Sequence, residues 1–152
     1  MLPLLNFPRI VMKEELRGMG PIGKACECMN ALFVKRGTKS DKRAAMTSLI
    51  EGTKKVKEDG DSIVIFPEGT RHLGDELLPF KLGAFNAAVA AQVPILPVVI
   101  SNFKKLPDYL ATGSTVKVKI LHPVSTQGLG KEEVQTLADK CRDIMSDVFH
   151  KL

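Results

Sequence analysis

Short apolar runs, each about the length of a buried strand, recur along this chain. Four of them lie at residues 9–12, 31–34, 62–65 and 95–100. Because each run is too short for a helix and is bounded by polar residues, glycine or proline, the pattern predicts four strands. A fifth strand is predicted at residues 116–120, where valine and isoleucine alternate with lysine, as in a strand with one face in water.

Two short helices are predicted between these runs. Residues 22–30 place Ile22, Cys26 and Met29 at helical spacing, which predicts a helix with these three side chains on one face. The alanine-rich segment at residues 83–91 predicts a buried helix, which Pro94 prevents from continuing.

Two longer helices carry clear apolar stripes. The first is predicted to begin at Ser40 and Asp41, which are favourable helix starts, and to end at Gly60. The second follows residues 128–130. The positions predicted to face the core are Ala45, Leu49, Thr53 and Val56 in the first helix, and Val134, Leu137, Ala138, Cys141, Ile144, Met145 and Val148 in the second.

The order of these elements, βαβαβαββα, predicts an α/β fold: a layered, mostly parallel sheet flanked by helices. With 152 residues, 44% of them hydrophobic and 26% charged, one globular domain is expected. The sequence contains no internal repeats. Residues 104–113 are predicted to form a polar loop.

The net charge of +5 favours anionic partners such as phosphate ligands or acidic lipid surfaces. Nucleic acid is disfavoured, since the chain has no tryptophan and one tyrosine for bases to stack on. The chain has three cysteines, an odd number, and the neighbouring Cys26 and Cys28 lack a second pair that would complete a zinc site. Reduced, partly buried cysteines in a cytosol-facing domain are expected. There is no apolar run of about 18 residues that would span a bilayer.

The chemistry concentrates at the turn after the third predicted strand. Residues 66–71 place one acid, one hydroxyl and one guanidinium where Pro67 and Gly69 should end the strand. Ligands of open α/β sheets bind at this end of the strands. The fork of Arg71 suits a phosphate or carboxylate, and Glu68 could hold that fork or accept a ligand hydroxyl. The alternative is a structural turn containing an Arg–Glu pair.

This turn resembles the third signature block of the glycerolipid acyltransferases, in particular the 1-acylglycerol-3-phosphate (lysophosphatidic acid) acyltransferases. Four further segments resemble the same family in the same order, and the resemblance as a whole extends over roughly residues 11–123. They lie at residues 13–16, 33–37, 78–85 and 93–98. Several blocks in order and at compatible spacing are much more specific than one hexapeptide.

The resemblance implies a set of substrate-binding residues. Arg36 and Arg71 would bind the phosphate of the acceptor, and Glu68, Gly69 and Thr70 would shape that pocket. Further contacts are predicted for Lys81 as an additional cation and for Pro94, Ile95 and Pro97 as the wall of the pocket. The family often has Asp or Asn before the arginine of the second block, whereas this chain has Lys35.

The family's catalytic block, a histidine followed after four residues by an aspartate, is missing. The three histidines are His72, His122 and His150, and none has an aspartate at that spacing. His72 in the turn is interpreted as a loop residue near the phosphate site, not as a replacement base. We therefore predict that residues 1–152 form a partial, N-terminally truncated acyltransferase domain, inactive alone, from a fragment, a short isoform or a truncated gene model.

The resemblance also implies partners and location. The donor would be acyl-CoA, or acyl carrier protein in some members, with no bound cofactor and no metal. The acceptor would be lysophosphatidic acid, acylated at its sn-2 hydroxyl to give phosphatidic acid. A membrane surface is expected, at the cytosolic side of the endoplasmic reticulum in a eukaryote. Two alternatives stay open: a non-catalytic lipid-phosphate or partner-binding module, and a soluble α/β domain whose motif turns are structural.

Overall fold

Three parallel strands form the central sheet. A computed structural model describes residues 8–35, 37–70, 72, 74–101 and 115–152. The strands are β1 (Arg9–Lys13), β2 (Leu32–Val34) and β3 (Ile63–Val64), in the order β2-β1-β3. Each lies within a residue or two of an apolar run in the sequence. The predicted α/β class with a parallel sheet is therefore confirmed.

The first strand of the chain is the central one. Val11 pairs with Leu32 on one side of β1, and Arg9 pairs with Ile63 on the other. Because all pairs are parallel, the carboxyl ends of the three strands meet at one edge. The segments that follow β2 and β3 therefore begin at the same edge of the sheet, on either side of β1.

Four α-helices accompany the strands, and the element order matches the predicted βαβαβαββα. They are α1 (Gly20–Cys28), α2 (Lys39–Asp59), α3 (Gly83–Ala91) and α4 (Val134–Phe149). Short 3-10 helices at Glu14–Gly18 and Lys131–Glu133 precede α1 and α4. None of the helices within the described part of the chain is long and apolar enough to cross a membrane.

Helix α2 begins at Lys39, one residue before the predicted Ser40–Asp41 start, with Thr38 as its N-cap. The Thr38 hydroxyl accepts the Asp41 N–H, while the Asp41 carboxylate accepts the Thr38 N–H at 2.9 Å. This reciprocal capping box satisfies two amides that the helix cannot use. The predicted stop at Gly60 is confirmed, since Gly60 adopts a left-handed φ of 71°.

The core lies where α3 meets α4. Its buried members include Phe85 and Val89 from α3, and Leu137 and Cys141 from α4. Phe80 stacks on Phe85 with ring centroids 6.1 Å apart. The two predicted apolar stripes are confirmed in part: the buried positions are Leu49, Thr53 and Val56 in α2, and, in the first half of α4, Val134, Leu137, Ala138 and Cys141.

Only one of the three residues on the predicted face of α1 is buried. Cys26 is buried, but Ile22 and Met29 are 57% and 41% exposed. Helix α1 instead packs through Gly23, which lies directly against the backbone carbonyl of Arg17, where a Cβ would clash. Because the preceding 3-10 helix approaches α1 at Gly23, the buried residues of α1 are Gly23 and Cys26.

Strands β4 (Val98–Ile100) and β5 (Val118–Ile120) form a separate antiparallel pair. The run at 95–100 is a shorter strand than predicted, because Ile95 makes only an isolated bridge to Val124. The expectation that β5 buries one face is also wrong, since Val118 and Ile120 are 58% and 63% exposed. These side chains share a face with Val98 and Ile100 across the pair, and no described element packs over it. The predicted loop at 104–113 lies outside the described residues.

Candidate functional site

The turn after β3 is built as its sequence suggests. β3 ends at Val64, and the chain reverses where the Gly69 N–H donates to the Phe66 carbonyl at 3.1 Å. Gly69 has a φ of +66°, a conformation that favours glycine. The predicted end of the strand before Pro67 is therefore confirmed, and the turn lies at the carboxyl edge of the parallel sheet.

Glu68 binds the backbone of a neighbouring segment. Its Oε2 accepts the Leu78 N–H at 3.0 Å, and the side chain is half-buried. One residue earlier, the Pro67 carbonyl accepts the Lys81 N–H at 2.8 Å. These two hydrogen bonds tie the turn to residues 77–81. The described contact of Glu68 is thus structural, and the suggested pairing with Arg71 lies outside the described residues.

Lys81 is brought directly onto the turn. A Cβ placed on Gly69 would lie 2.6 Å from the Lys81 Nζ and 2.8 Å from its Cδ, so the lysine side chain runs across the Gly69 backbone. Lys81 is exposed, and its ammonium is available to an anion at the turn. The structure therefore groups three of the predicted residues, Glu68, Gly69 and Lys81. Thr70 follows them and is exposed.

Residues 77–81 are also held from the opposite side, by α4. Arg142 donates from Nη2 to the Leu77 carbonyl at 2.7 Å and from Nε to the Leu78 carbonyl at 3.3 Å. Sequence reasoning did not identify Arg142, because its partners are backbone groups more than 60 residues away. Only its position beside the buried Cys141, at the edge of the apolar stripe, could have indicated a partly buried arginine.

The segment after β2 lies at the same edge of the sheet. Lys35 is exposed there, and Gly37 is close to the Asp41 carboxylate, since a Cβ on Gly37 would stand 2.9 Å from Oδ2. Hydrogen bonds from the Thr38 side chain and backbone lower the pKa of Asp41, and the Lys35 charge adds a smaller effect. The start of α2 is thus capped by its own residues. Arg36 and Arg71, the two predicted phosphate-binding arginines, lie outside the described residues.

The three residues predicted to form the pocket wall have different surroundings. Ile95 packs against the core and exchanges backbone hydrogen bonds with Val124 at 2.9 and 2.7 Å. Pro97 is buried, and its carbonyl accepts the Leu121 N–H at 3.0 Å, whereas Pro94 is exposed. For Ile95 and Pro97 the described contacts are structural ones.

The histidines lie in three different parts of the chain. His72 is exposed and rests against Gly74. His122 is exposed just after β5, and His150 is exposed at the end of α4, with a ring nitrogen 3.5 Å from the Ser146 hydroxyl. Among the described residues, no three His, Cys, Asp or Glu side chains are grouped so that they could hold a metal ion.

An open depression of about 480 Å³ lies between α2 and α3, lined by Lys54, Lys57, Glu58, Ala90 and Ala91. None of the predicted site residues lines it. The Lys57 ammonium donates to the carbonyls of Ala91 at 3.0 Å and Gln92 at 3.4 Å, so it stabilises the end of α3. The turn after β3 remains the candidate binding site.

Comparison with known proteins identifies the family of this chain. The model of the family described as Acyltransferase matches residues 3–101, which include both the turn and the segment that it contacts. The chain therefore belongs to the acyltransferase family, and the resemblance recognised from the sequence blocks is confirmed.

Its relatives define a narrower group. The chain is 35% identical over 145 residues to 1-acyl-sn-glycerol-3-phosphate acyltransferase alpha of Homo sapiens, covering 93% of this chain and 50% of that protein. It is 39% identical over 148 residues to the 1-acyl-sn-glycerol-3-phosphate acyltransferase of Saccharomyces cerevisiae, covering 94% of this chain and 48% of that protein. The chain thus spans about half the length of these relatives.

The fold has a counterpart among solved structures. The crystal structure of the 1-acyl-sn-glycerophosphate (LPA) acyltransferase PlsC from Thermotoga maritima superposes with a TM-score of 0.71 at 28% identity. The match covers 95% of this chain and 56% of that protein. The α/β architecture described above is thus shared with an acyltransferase of this group.

Proposed function

We propose that this chain is the acceptor-binding part of a 1-acylglycerol-3-phosphate acyltransferase of phospholipid biosynthesis. The complete reaction would transfer a fatty acyl group from acyl-CoA to the sn-2 hydroxyl of lysophosphatidic acid and form phosphatidic acid. The names of the relatives support the acceptor class. The single observation that carries the proposal is the Lys81 side chain lying across Gly69, which places a cation on the turn at the carboxyl edge of the sheet.

In this proposal the chain positions the acceptor. Lys81 and the turn around Gly69 receive the phosphate, and Arg36 and Arg71 add guanidinium donors, as the family blocks imply. Glu68 keeps the turn in place through the Leu78 N–H. Holding the phosphate fixes the distance of the lipid hydroxyl from the acyl donor, which is how a binding site lowers the entropic part of a bimolecular barrier.

The chemical step needs a base that this sequence does not supply. A lipid hydroxyl is a weak nucleophile at neutral pH and requires proton removal. Since no His-x-x-x-x-Asp occurs in the 152 residues, we propose that the chain binds acceptor without turnover. The same observation favours a second candidate function, a non-catalytic lipid-phosphate or partner-binding short form.

The proposed location is a membrane surface, at the endoplasmic reticulum facing the cytosol. The net charge of +5 supports attraction to anionic lipids. The proposal requires no bound cofactor or metal, with acyl-CoA as a co-substrate.

Binding of a short-chain lysophosphatidic acid, kept below its micelle concentration, tests the proposal on the full 152-residue chain. The matching monoacylglycerol, which lacks the phosphate, is the ligand control. Arg71→Gln should weaken binding at least tenfold, the loss expected for one bidentate guanidinium–phosphate contact. Arg43→Gln, at an exposed position of α2, removes the same charge and should not change affinity.

Three outcomes would contradict the proposal. Equal affinity for lysophosphatidic acid and the monoacylglycerol would show that the phosphate is not recognised. Equal effects of Arg71→Gln and Arg43→Gln would show that binding depends only on general charge attraction. Robust acyl transfer from acyl-CoA by the unmodified chain, abolished by His72→Ala, would show that His72 is a base after all.

A further inference from the structure

We infer that Arg142 of α4 is a positioning residue for the phosphate-binding turn after β3, an inference that rests on the proposed function. Arg142 lies beyond residues 3–101, which the family model matches, so the match assigns it no role. It belongs to the last helix of the chain, yet its side chain reaches the segment that the turn contacts.

The connection runs through two adjacent residues, Leu77 and Leu78. The Leu78 carbonyl accepts from the Arg142 Nε at 3.3 Å, while the Leu78 N–H donates to the Glu68 Oε2 at 3.0 Å. The stronger bond from Arg142 is to the adjacent Leu77 carbonyl, at 2.7 Å. One peptide segment is thus held by a guanidinium on one side and by the carboxylate of the turn on the other.

The same segment carries the cation of the site. Lys81 is three residues beyond Leu78, and its N–H donates to the Pro67 carbonyl at 2.8 Å. Between these points, Phe80 stacks on Phe85 of the core. Arg142 therefore fixes the start of the segment, the core fixes its middle, and its end places the Lys81 side chain over Gly69.

The geometry requires an arginine and not only a positive charge. Arg142 is half-buried and uses two nitrogens of its planar fork on two successive carbonyls. A lysine has one ammonium and cannot reproduce this fixed pair of donors. Without the Arg142 guanidinium, residues 77 and 78 are no longer anchored to α4. Glu68 and Lys81, which depend on this segment for their positions, are then held less firmly.

The test compares Arg142→Gln, Arg142→Lys and the control Lys140→Gln, which removes the same charge from an exposed position on the same helix. Affinity for short-chain lysophosphatidic acid is measured well below the melting temperature of each variant. Arg142→Gln should weaken binding about tenfold, the effect of one to two charge-assisted hydrogen bonds. Arg142→Lys should recover only part of this loss, and Lys140→Gln should bind as the unmodified chain.

A double-mutant cycle separates positioning from a general loss of stability. If Arg142 acts through Leu78, then Arg142→Gln and Glu68→Gln disturb the same connection, and their effects on affinity should be clearly less than multiplicative. Fully multiplicative effects, or an Arg142→Gln affinity equal to that of the unmodified chain, would overturn the inference while leaving the proposed function intact.

Hydrogen exchange in the ligand-free chain tests the connection independently of lipid binding. Arg142→Gln should speed exchange of the Leu78 and Lys81 amides, with little change at the Ile95 amide, which bonds to Val124. If the unmodified chain does not bind lysophosphatidic acid, the proposed function fails, and positioning of the acceptor site fails with it. Unchanged exchange at Leu78 would overturn the inference on its own.

Discussion

The side chain of Lys81 lies across the backbone of Gly69, so that a Cβ on Gly69 would stand 2.6 Å from the lysine Nζ. Two structural features therefore favour glycine at position 69. Its φ of +66° is costly for other residues, and the space above its Cα is occupied by the cation of the candidate site. The backbone of the turn and the placement of the charge are thus coupled at one residue.

Gly69→Ala should lower both stability and affinity. The left-handed conformation costs an alanine about 1 to 2 kcal/mol, and the new methyl group must displace the end of the flexible Lys81 side chain. Gly60→Ala is the matched control, because Gly60 has a φ of +71° with open space around its Cα. Urea unfolding should show similar destabilisation for both variants, whereas lysophosphatidic acid binding should weaken only for Gly69→Ala. Equal binding by the two variants would contradict the role of Lys81.

Asp41→Asn should reveal a pH-dependent contribution from the α2 capping box. Hydrogen bonds from Thr38 lower the pKa of Asp41 below its ordinary value of 3.8, so the charged carboxylate stabilises the fold above that pH. As pH falls through the lowered pKa, Asp41 becomes protonated and the stabilisation is lost. At neutral pH the unmodified chain should have a higher urea midpoint than Asp41→Asn. This difference should disappear at strongly acidic pH. Asp143→Asn, exposed on α4, is the charge-matched control; a gap that widens on acidification would contradict the capping role.

Alkylation should distinguish the three cysteines. Cys28 is exposed, whereas Cys26 and Cys141 are buried, and burial raises the pKa of the Cys141 thiol. Because the thiolate is the reactive form, iodoacetamide at about pH 8 should modify Cys28 first in the native chain. Mass spectrometry after brief exposure should show one adduct per chain, and three after unfolding in urea. Early modification of Cys141 would contradict the packing of α4.

Leu137→Ala should be strongly destabilising. Leu137 is 4% exposed at the contact of α4 with α3, so its truncation leaves a cavity that typically costs about 2 to 5 kcal/mol. Leu96→Ala provides the control, since Leu96 is 53% exposed and its truncation should change stability by about 0.5 kcal/mol or less. Similar unfolding free energies for the two variants would show that the α3–α4 contact is not the core.

The elements that sequence predicted best are those with local causes. Helix α2 has a stripe at Leu49, Thr53 and Val56 and ends at a left-handed Gly60, and all of these features follow from residues within a few turns. The predicted start is too late because Ser40 and Asp41 are themselves favourable caps, whereas the true N-cap is Thr38, which forms a capping box with Asp41 three residues further on. The family blocks identified the turn after β3 in the same local way.

The errors have tertiary causes. Ile22 and Met29 have helical spacing with Cys26, but the 3-10 helix packs against Gly23 and leaves both exposed. The alternation in β5 indicates two faces without revealing whether another layer covers either of them. The bond between Glu68 and Leu78 and the contacts of Arg142 join backbone groups to side chains distant in sequence. No residue pattern encodes such partners.

The order β2-β1-β3 also predicts a sequence of events during folding. Helix α2 is made of local contacts and has its own cap and stop, so it can form early. The Arg9–Ile63 pairing must instead close a long loop that contains α1, β2 and α2, and it is entropically the more expensive step. Since the candidate turn follows directly on β3, the ligand-binding edge is expected to be completed late, after the helices that surround it.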